Sequence, residues 1–238
     1  MGPFMDDAAK AVEDLWDRVV ALAERIGPAE WSRPTPCPDL DVKGVVAHVA
    51  TTPGPGVRAG ATPERLVAEL RAARAREAAR VAALTGADTT GRGDGASTER
   101  VLGAACLDLW VHAHDLSVAL GEPVDLDEDS PAVAEACRYL LRFTPQLFAA
   151  RSGADDGAAL QIALRGPVDH DAALEVRDAR GRWRNGAAGA AHAVSATPAA
   201  FILLLSGRGE PEQWRGLGAL EWSGDGGEAF VHTARLFV

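Results

Sequence analysis

Three side chains in this sequence have the types and spacing to hold a metal ion. Asp108 and His112 stand four residues apart in Leu107-Asp108-Leu109-Trp110-Val111-His112-Ala113-His114-Asp115. On a helix, at about 100° per residue, they point within about 40° of each other, one turn apart. A carboxylate and an imidazole in that relation can share a divalent cation, as the two histidines of an H-x-x-x-H pair do. His114 lies about 200° around the helix from His112 and cannot join the same cluster. His48 sits about 60° from Val45 on an earlier helix, at the border of its apolar stripe, where it can face a bundle interior without being sealed in core. His48, Asp108 and His112 would give three protein ligands with one tetrahedral position open, the arrangement of catalytic zinc. The same spacings also suit an ordinary surface or capping contact for the Asp–His pair and an interfacial hydrogen bond for His48.

The elements that must position these residues are helices over the first 150 residues. Ala8, Val12, Leu15, Trp16, Val19, Leu22, Ala23 and Ile26 recur at three- and four-residue spacing, closed by Pro28. After the turn-rich Pro34 to Asp39, Asp41 caps a second helix carrying Val42, Val45, Val46 and Val49, which Pro53 and Pro55 should end early. Thr62 and Pro63 start a third helix running to about Leu84, followed by a loop from Gly86 to Ser97. A fourth helix is expected from about Glu99 to Leu120, stopped at Gly121. A fifth starts at Ser130-Pro131, with Pro145 expected to kink or break it. Beyond a linker at Ser152 to Gly157, alternation over Ala159 to Leu164 and Ala173 to Val176 predicts strands. A turn at Asp178 to Gly181 leads to a further strand ending at Trp183. Thr197-Pro198 opens a short apolar helix over Ala199 to Leu205, ended by Gly207. Ser223 to Gly227 reads as a last turn. The expected architecture is α+β: a helical bundle over 1–150 and a small α+β domain over 151–238.

Composition excludes several function classes. The chain of 238 residues is 47% hydrophobic and 24% charged, which is globular and not disordered. A net charge of −10 argues against nucleic acid, which needs a clustered basic surface. No run of 18 apolar residues is present, so no membrane span is expected. Three cysteines, Cys37, Cys106 and Cys137, with no C-x-x-C, suit a reducing compartment, and the start lacks the features of a signal peptide. A cytoplasmic protein is expected.

The run Pro34-Thr35-Pro36-Cys37-Pro38-Asp39-Leu40-Asp41-Val42, followed by Val45-Val46-Ala47-His48, resembles the mycothiol-dependent maleylpyruvate isomerase family. So does Asp108-Leu109-Trp110-Val111-His112-Ala113-His114-Asp115-Leu116, and Leu203 to Arg208 with Gly224-Asp225 look like the family's C-terminal domain. The resemblance implies a DinB-like four-helix bundle followed by a small sterol-carrier-like α+β domain. It implies a divalent metal, zinc by type, on His48, Asp108 and His112, with Asp where many members carry Glu. It implies mycothiol as a co-substrate. The early stop at Pro53 and Pro55 departs from the family and should shorten the rim contributed by that helix.

On this reading the partners are a small-molecule substrate and a low-molecular-weight thiol, with no nucleic acid and no membrane, in a monomer or weak homodimer. The expected function is a metal-dependent isomerase or thiol S-transferase acting on an activated alkene. The alternatives on the same fold are a non-thiol metal enzyme of specialised metabolism and a non-catalytic metal- or small-ligand-binding protein. Arg208, after the apolar helix, is the candidate catalytic residue toward an anionic substrate. The bland reading of Arg208 is an exposed charge at a helix end. Asp115 reads as a hydrogen-bonding partner near the site or a helix-capping group. Cys37, flanked by prolines, reads as part of a packed turn and not as a nucleophile. His170, His192 and His232 have no partner at helix spacing and read as incidental.

Overall fold

The computed structural model describes residues 3–51, 61–86, 95–184 and 191–236. Four helices build the first unit: α1 (Pro3–Glu24), α2 (Val42–Thr51), α3 (Pro63–Gly86) and α4 (Gly95–Ala119). α1 packs on α4 and α3, and α2 packs on α3 and α4, which closes the four helices around one core. The periodic residues read from the sequence supply it. Val12, Val19, Val45 and Val46 are 0% exposed, as are Leu66, Leu70, Leu102 and Leu116. Ile26 lies beyond the end of α1 but is still buried. Asp41 caps α2 by accepting the Gly44 N–H at 2.7 Å, and Thr62 accepts the Arg65 N–H at the start of α3. α4 begins at Gly95, so Gly95 to Ser97 are helical where a loop was expected. Gly121, at φ +80°, ends this region. Its N–H donates to Val118 O and the Glu122 N–H reaches back to Ser117 O, so two orphan carbonyls are satisfied. The prolines expected to stop α2 and the tip of the Gly86–Ser97 loop lie outside the described residues.

The second unit begins at Asp125, not at 151. The reason is α5 (Pro131–Arg151), which packs on β2 (His170–Arg177), β3 (Arg180–Arg184) and α6 (Pro198–Leu205). The expected linker at Ser152 to Gly157 is a bonded turn inside this unit, with the Gly157 N–H on Val176 O at 2.8 Å. The sheet order is β3-β2-β1-β4-β5, where β1 is Ala159–Leu164, β4 Ala193–Ala196 and β5 Leu220–Ser223. β1 pairs antiparallel with β2 and parallel with β4; the other pairs are antiparallel. Asp178 and Ala179, at φ +52° and +59°, form the two-residue turn between β2 and β3.

Pro145 neither breaks nor ends α5. A proline at that position withdraws the N–H that would bond Leu141 O. The Trp183 indole donates to this carbonyl instead, at 3.1 Å. Gly181 permits the approach, since a Cβ there would collide with the Pro145 carbonyl. All eight residues of α6 are buried. Two further helices were not foreseen: α7 (Pro211–Gly216) and α8 (Gly224–Thr233), the latter starting at the glycine-rich stretch read as a turn. Among the described residues no helix is long and apolar enough to cross a membrane.

Candidate metal centre

α4 carries the centre. Asp108, His112 and Asp115 fall at i, i+4 and i+7, along one stripe of this helix. α2 packs against α4 and brings His48 to the same stripe. One atom, Asp108 Oδ1, lies 3.6 Å from His48 Nε2 and 3.5 Å from His112 Nε2. The two imidazole rings meet edge to face, with centroids 4.7 Å apart. One donor atom from each of the three residues lies within 4.8 Å of the others. The set also grades in exposure: His48 and Asp108 side chains are 43% and 38% exposed, while His112 is 8%.

These separations suit a metal. Ligand atoms bonded at about 2.0–2.2 Å in a tetrahedron stand about 3.3–3.6 Å apart, and both distances to Asp108 Oδ1 match such edges. Two imidazoles and one carboxylate are also a donor set that zinc accepts with a fourth position open. The residues present therefore fit a divalent ion.

Beneath the triad, His112 Nδ1 donates to Asp115 Oδ2 at 3.0 Å, and Asp115 is 0% exposed. A carboxylate on Nδ1 holds the tautomer that leaves Nε2 as the ligand atom. Burial pulls the His112 pKa down, but the hydrogen bonds and charges of Asp108 and Asp115 outweigh it and raise it to about 9. For Asp108, burial acts upward, yet the hydrogen bonds and charges of His112 and His48 hold its carboxyl well below the usual range. Asp108, His112 and Asp115 are thus electrostatically coupled through the His112 ring.

The other sequence-derived candidates separate cleanly. His114 is buried and stacks on Trp110 with ring centroids 6.0 Å apart, outside the cluster. Arg208 belongs to the second unit and is 4% exposed, where an exposed charge was the bland expectation; its Nη1 donates to Ser206 O at 2.6 Å. His232 faces Glu212 at 3.4 Å and His170 packs edge-on against Trp183. The residue the sequence reading undervalued is Cys37. Its sulfur, a His112 ring nitrogen and an Asp115 carboxylate oxygen lie within 4.8 Å of one another. The loop holding it is ordered by Thr35, whose Oγ1 accepts the Cys37 N–H at 3.1 Å and donates to Leu40 O at 2.8 Å. Its place in the segment leading directly to the His48 helix was the available signal.

The described residues thus form a four-helix bundle bearing a His–Asp–His donor set and a second, α+β unit. Comparison with known proteins bears out the family resemblance read from the sequence. Residues 12–54 match the family model of the mycothiol maleylpyruvate isomerase N-terminal domain. Two solved structures of mycothiol-dependent maleylpyruvate isomerase, one of them a histidine-to-alanine mutant, share the fold. Each covers 94% of this chain and is itself covered to 96%, at 15% identity, with TM-scores of 0.51 and 0.52. No curated protein matches this sequence.

Proposed function

We propose that this protein is a metal-dependent enzyme that activates a low-molecular-weight thiol for isomerisation of, or transfer to, an activated alkene. The observation that carries the reading is the convergence of His48 Nε2, His112 Nε2 and Asp108 Oδ1. The names of the structural neighbours supply mycothiol as the thiol and maleylpyruvate as the alkene to try first.

His48, Asp108 and His112 would hold the ion, zinc by the chemistry of the donor set. When bound, a divalent ion supplies Lewis acidity and favours the thiolate of an incoming thiol near neutral pH. The chain's own groups prepare that site. Asp115 accepts the Nδ1 proton of His112 and keeps its Nε2 available. Asp108 is anionic across the physiological range, so the ligand set carries one negative charge. Arg208, which belongs to the second unit, is proposed separately as a group for an anionic substrate; its Nη1 donates to the Ser206 carbonyl oxygen. In the reaction, a thiol gives up its S–H proton and adds to the alkene. Rotation about the carbon–carbon bond that was the double bond, then expulsion of the same thiolate, restores the double bond in the other geometry, and the thiolate regains its proton. Protonation of the adduct carbon instead leaves a thioether, the product of transfer.

Zinc-loaded protein incubated with mycothiol and maleylpyruvate should give thiol-dependent loss of the cis alkene. Absence of thiol-dependent turnover with any electrophile would remove this reading.

A further inference from the structure

His112 belongs to two donor sets. The first is the triad with His48 and Asp108; the second joins it to Cys37 and Asp115. The two sets differ in chemistry. The triad offers two nitrogens and an oxygen, is half open to solvent, and carries one negative charge when metal-ready. The second offers sulfur, nitrogen and oxygen, and carries two negative charges once the thiol has lost its proton. It is also drier, with the Asp115 and His112 side chains 0% and 8% exposed and Cys37 half-buried. Thiolate selects soft cations, and two negative charges neutralise a divalent ion in a desolvated place. Of the three cysteines, Cys106 and Cys137 are 0% exposed; Cys106 Sγ contacts Ala8 O, and burial pushes the Cys137 thiol up. Cys37 alone among them is grouped with a nitrogen and an oxygen donor.

We propose that Cys37, His112 and Asp115 form a second, sulfur-containing cation site that takes thiophilic divalent ions such as cadmium, and that filling it displaces the ion held by the triad. A neutral imidazole has one lone pair to give, so His112 serves one ion at a time. The bound cation replaces the thiol proton, which leaves to solvent. The existence of the sulfur site stands apart from the enzymatic reading; only the displacement rests on it.

The test is a cadmium titration of the metal-free full-length protein, followed by near-ultraviolet sulfur-to-cadmium charge transfer. Wild type should develop the band with roughly one equivalent, as a single thiolate site requires. His48→Ala, which removes a triad ligand and leaves all three sulfur-site residues, should develop the same band. Cys37→Ser, which retains Cys106 and Cys137, should lose it while still taking up zinc, and Asp115→Asn should need at least about tenfold more cadmium. Cadmium preloading should lower zinc uptake by the wild type. Cadmium binding without the band in wild type, or an undiminished band in Cys37→Ser, overturns the proposal. Zinc uptake by wild type compared with His48→Ala tests the triad separately, so failure of either site is told apart from failure of the other.

Discussion

His112 Nδ1 and Asp115 Oδ2 lie 3.0 Å apart, one helical turn from each other, with the carboxylate fully buried. The ring therefore stands between two acidic groups, Asp108 facing Nε2 and Asp115 facing Nδ1. Such a partner orients a metal-ligating imidazole and increases its basicity. Asp115→Asn keeps the size of the side chain and removes the charge. Zinc affinity should fall about 10- to 100-fold, measured by calorimetric titration. Unchanged affinity would show that the Asp115 contact does not support the ligand.

The same clamp sets a pH dependence. The folded His112 pKa of about 9 lies above its ordinary value of 6.5. Its stabilising contribution in metal-free protein is thus complete below pH 6.5 and lost as pH rises through 9. Metal must displace that proton, so apparent zinc affinity should rise about tenfold per pH unit between those limits, while the Tm of stripped protein falls. A flat affinity profile over this window would mean that His112 is not a ligand.

His114→Ala separates the neighbouring histidine from the centre. Its ring is buried against Trp110, outside the donor cluster. Truncation should destabilise the bundle by roughly 1–3 kcal/mol in urea denaturation yet leave zinc affinity within about twofold. Loss of zinc as severe as in His112→Ala would require His114 to be a ligand.

Gly181→Ala probes the join between α5 and β3. The added methyl meets the Pro145 carbonyl, so the strand must move and disturb the Trp183 bond to Leu141 O. Overpacking of this kind costs about 1–3 kcal/mol, readable as a lower urea midpoint. A midpoint equal to wild type would contradict the close packing of strand on helix.

What the sequence revealed was local. Helical periodicity exposed the α1 stripe, and four-residue spacing aligned Asp108 with His112, because both follow from 3.6 residues per turn. Thr197-Pro198 and Ser130-Pro131 marked helix starts through their own capping chemistry: Thr197 accepts the Ala200 N–H and Ser130 that of Val133. Long-range pairing was hidden. The parallel pairing of β1 with β4 brings together segments some thirty residues apart, and β4 is too short to show a period of its own. α5 carries a helix pattern that says nothing about whether helices or a sheet receive it, so its assignment to the sheet unit required coordinates. The glycines of Gly224-Asp225-Gly226-Gly227 signal a turn by propensity, yet they begin α8; there His192 packs against Gly224 and Gly226, where side chains would not fit. Cys37 reaches His112 only through the tertiary course of its loop.

The central claim is that His48, Asp108 and His112 jointly hold one divalent ion. Calorimetric zinc titration of wild type beside His48→Ala, His112→Ala, Asp108→Asn and Asp108→Glu tests it in one series. About one ion per chain is expected for wild type, with affinity at least about tenfold lower in both alanine variants and in Asp108→Asn, and retained in Asp108→Glu, which keeps the charge. Equal stoichiometry and affinity across wild type, both alanine variants and Asp108→Asn would contradict the proposed centre.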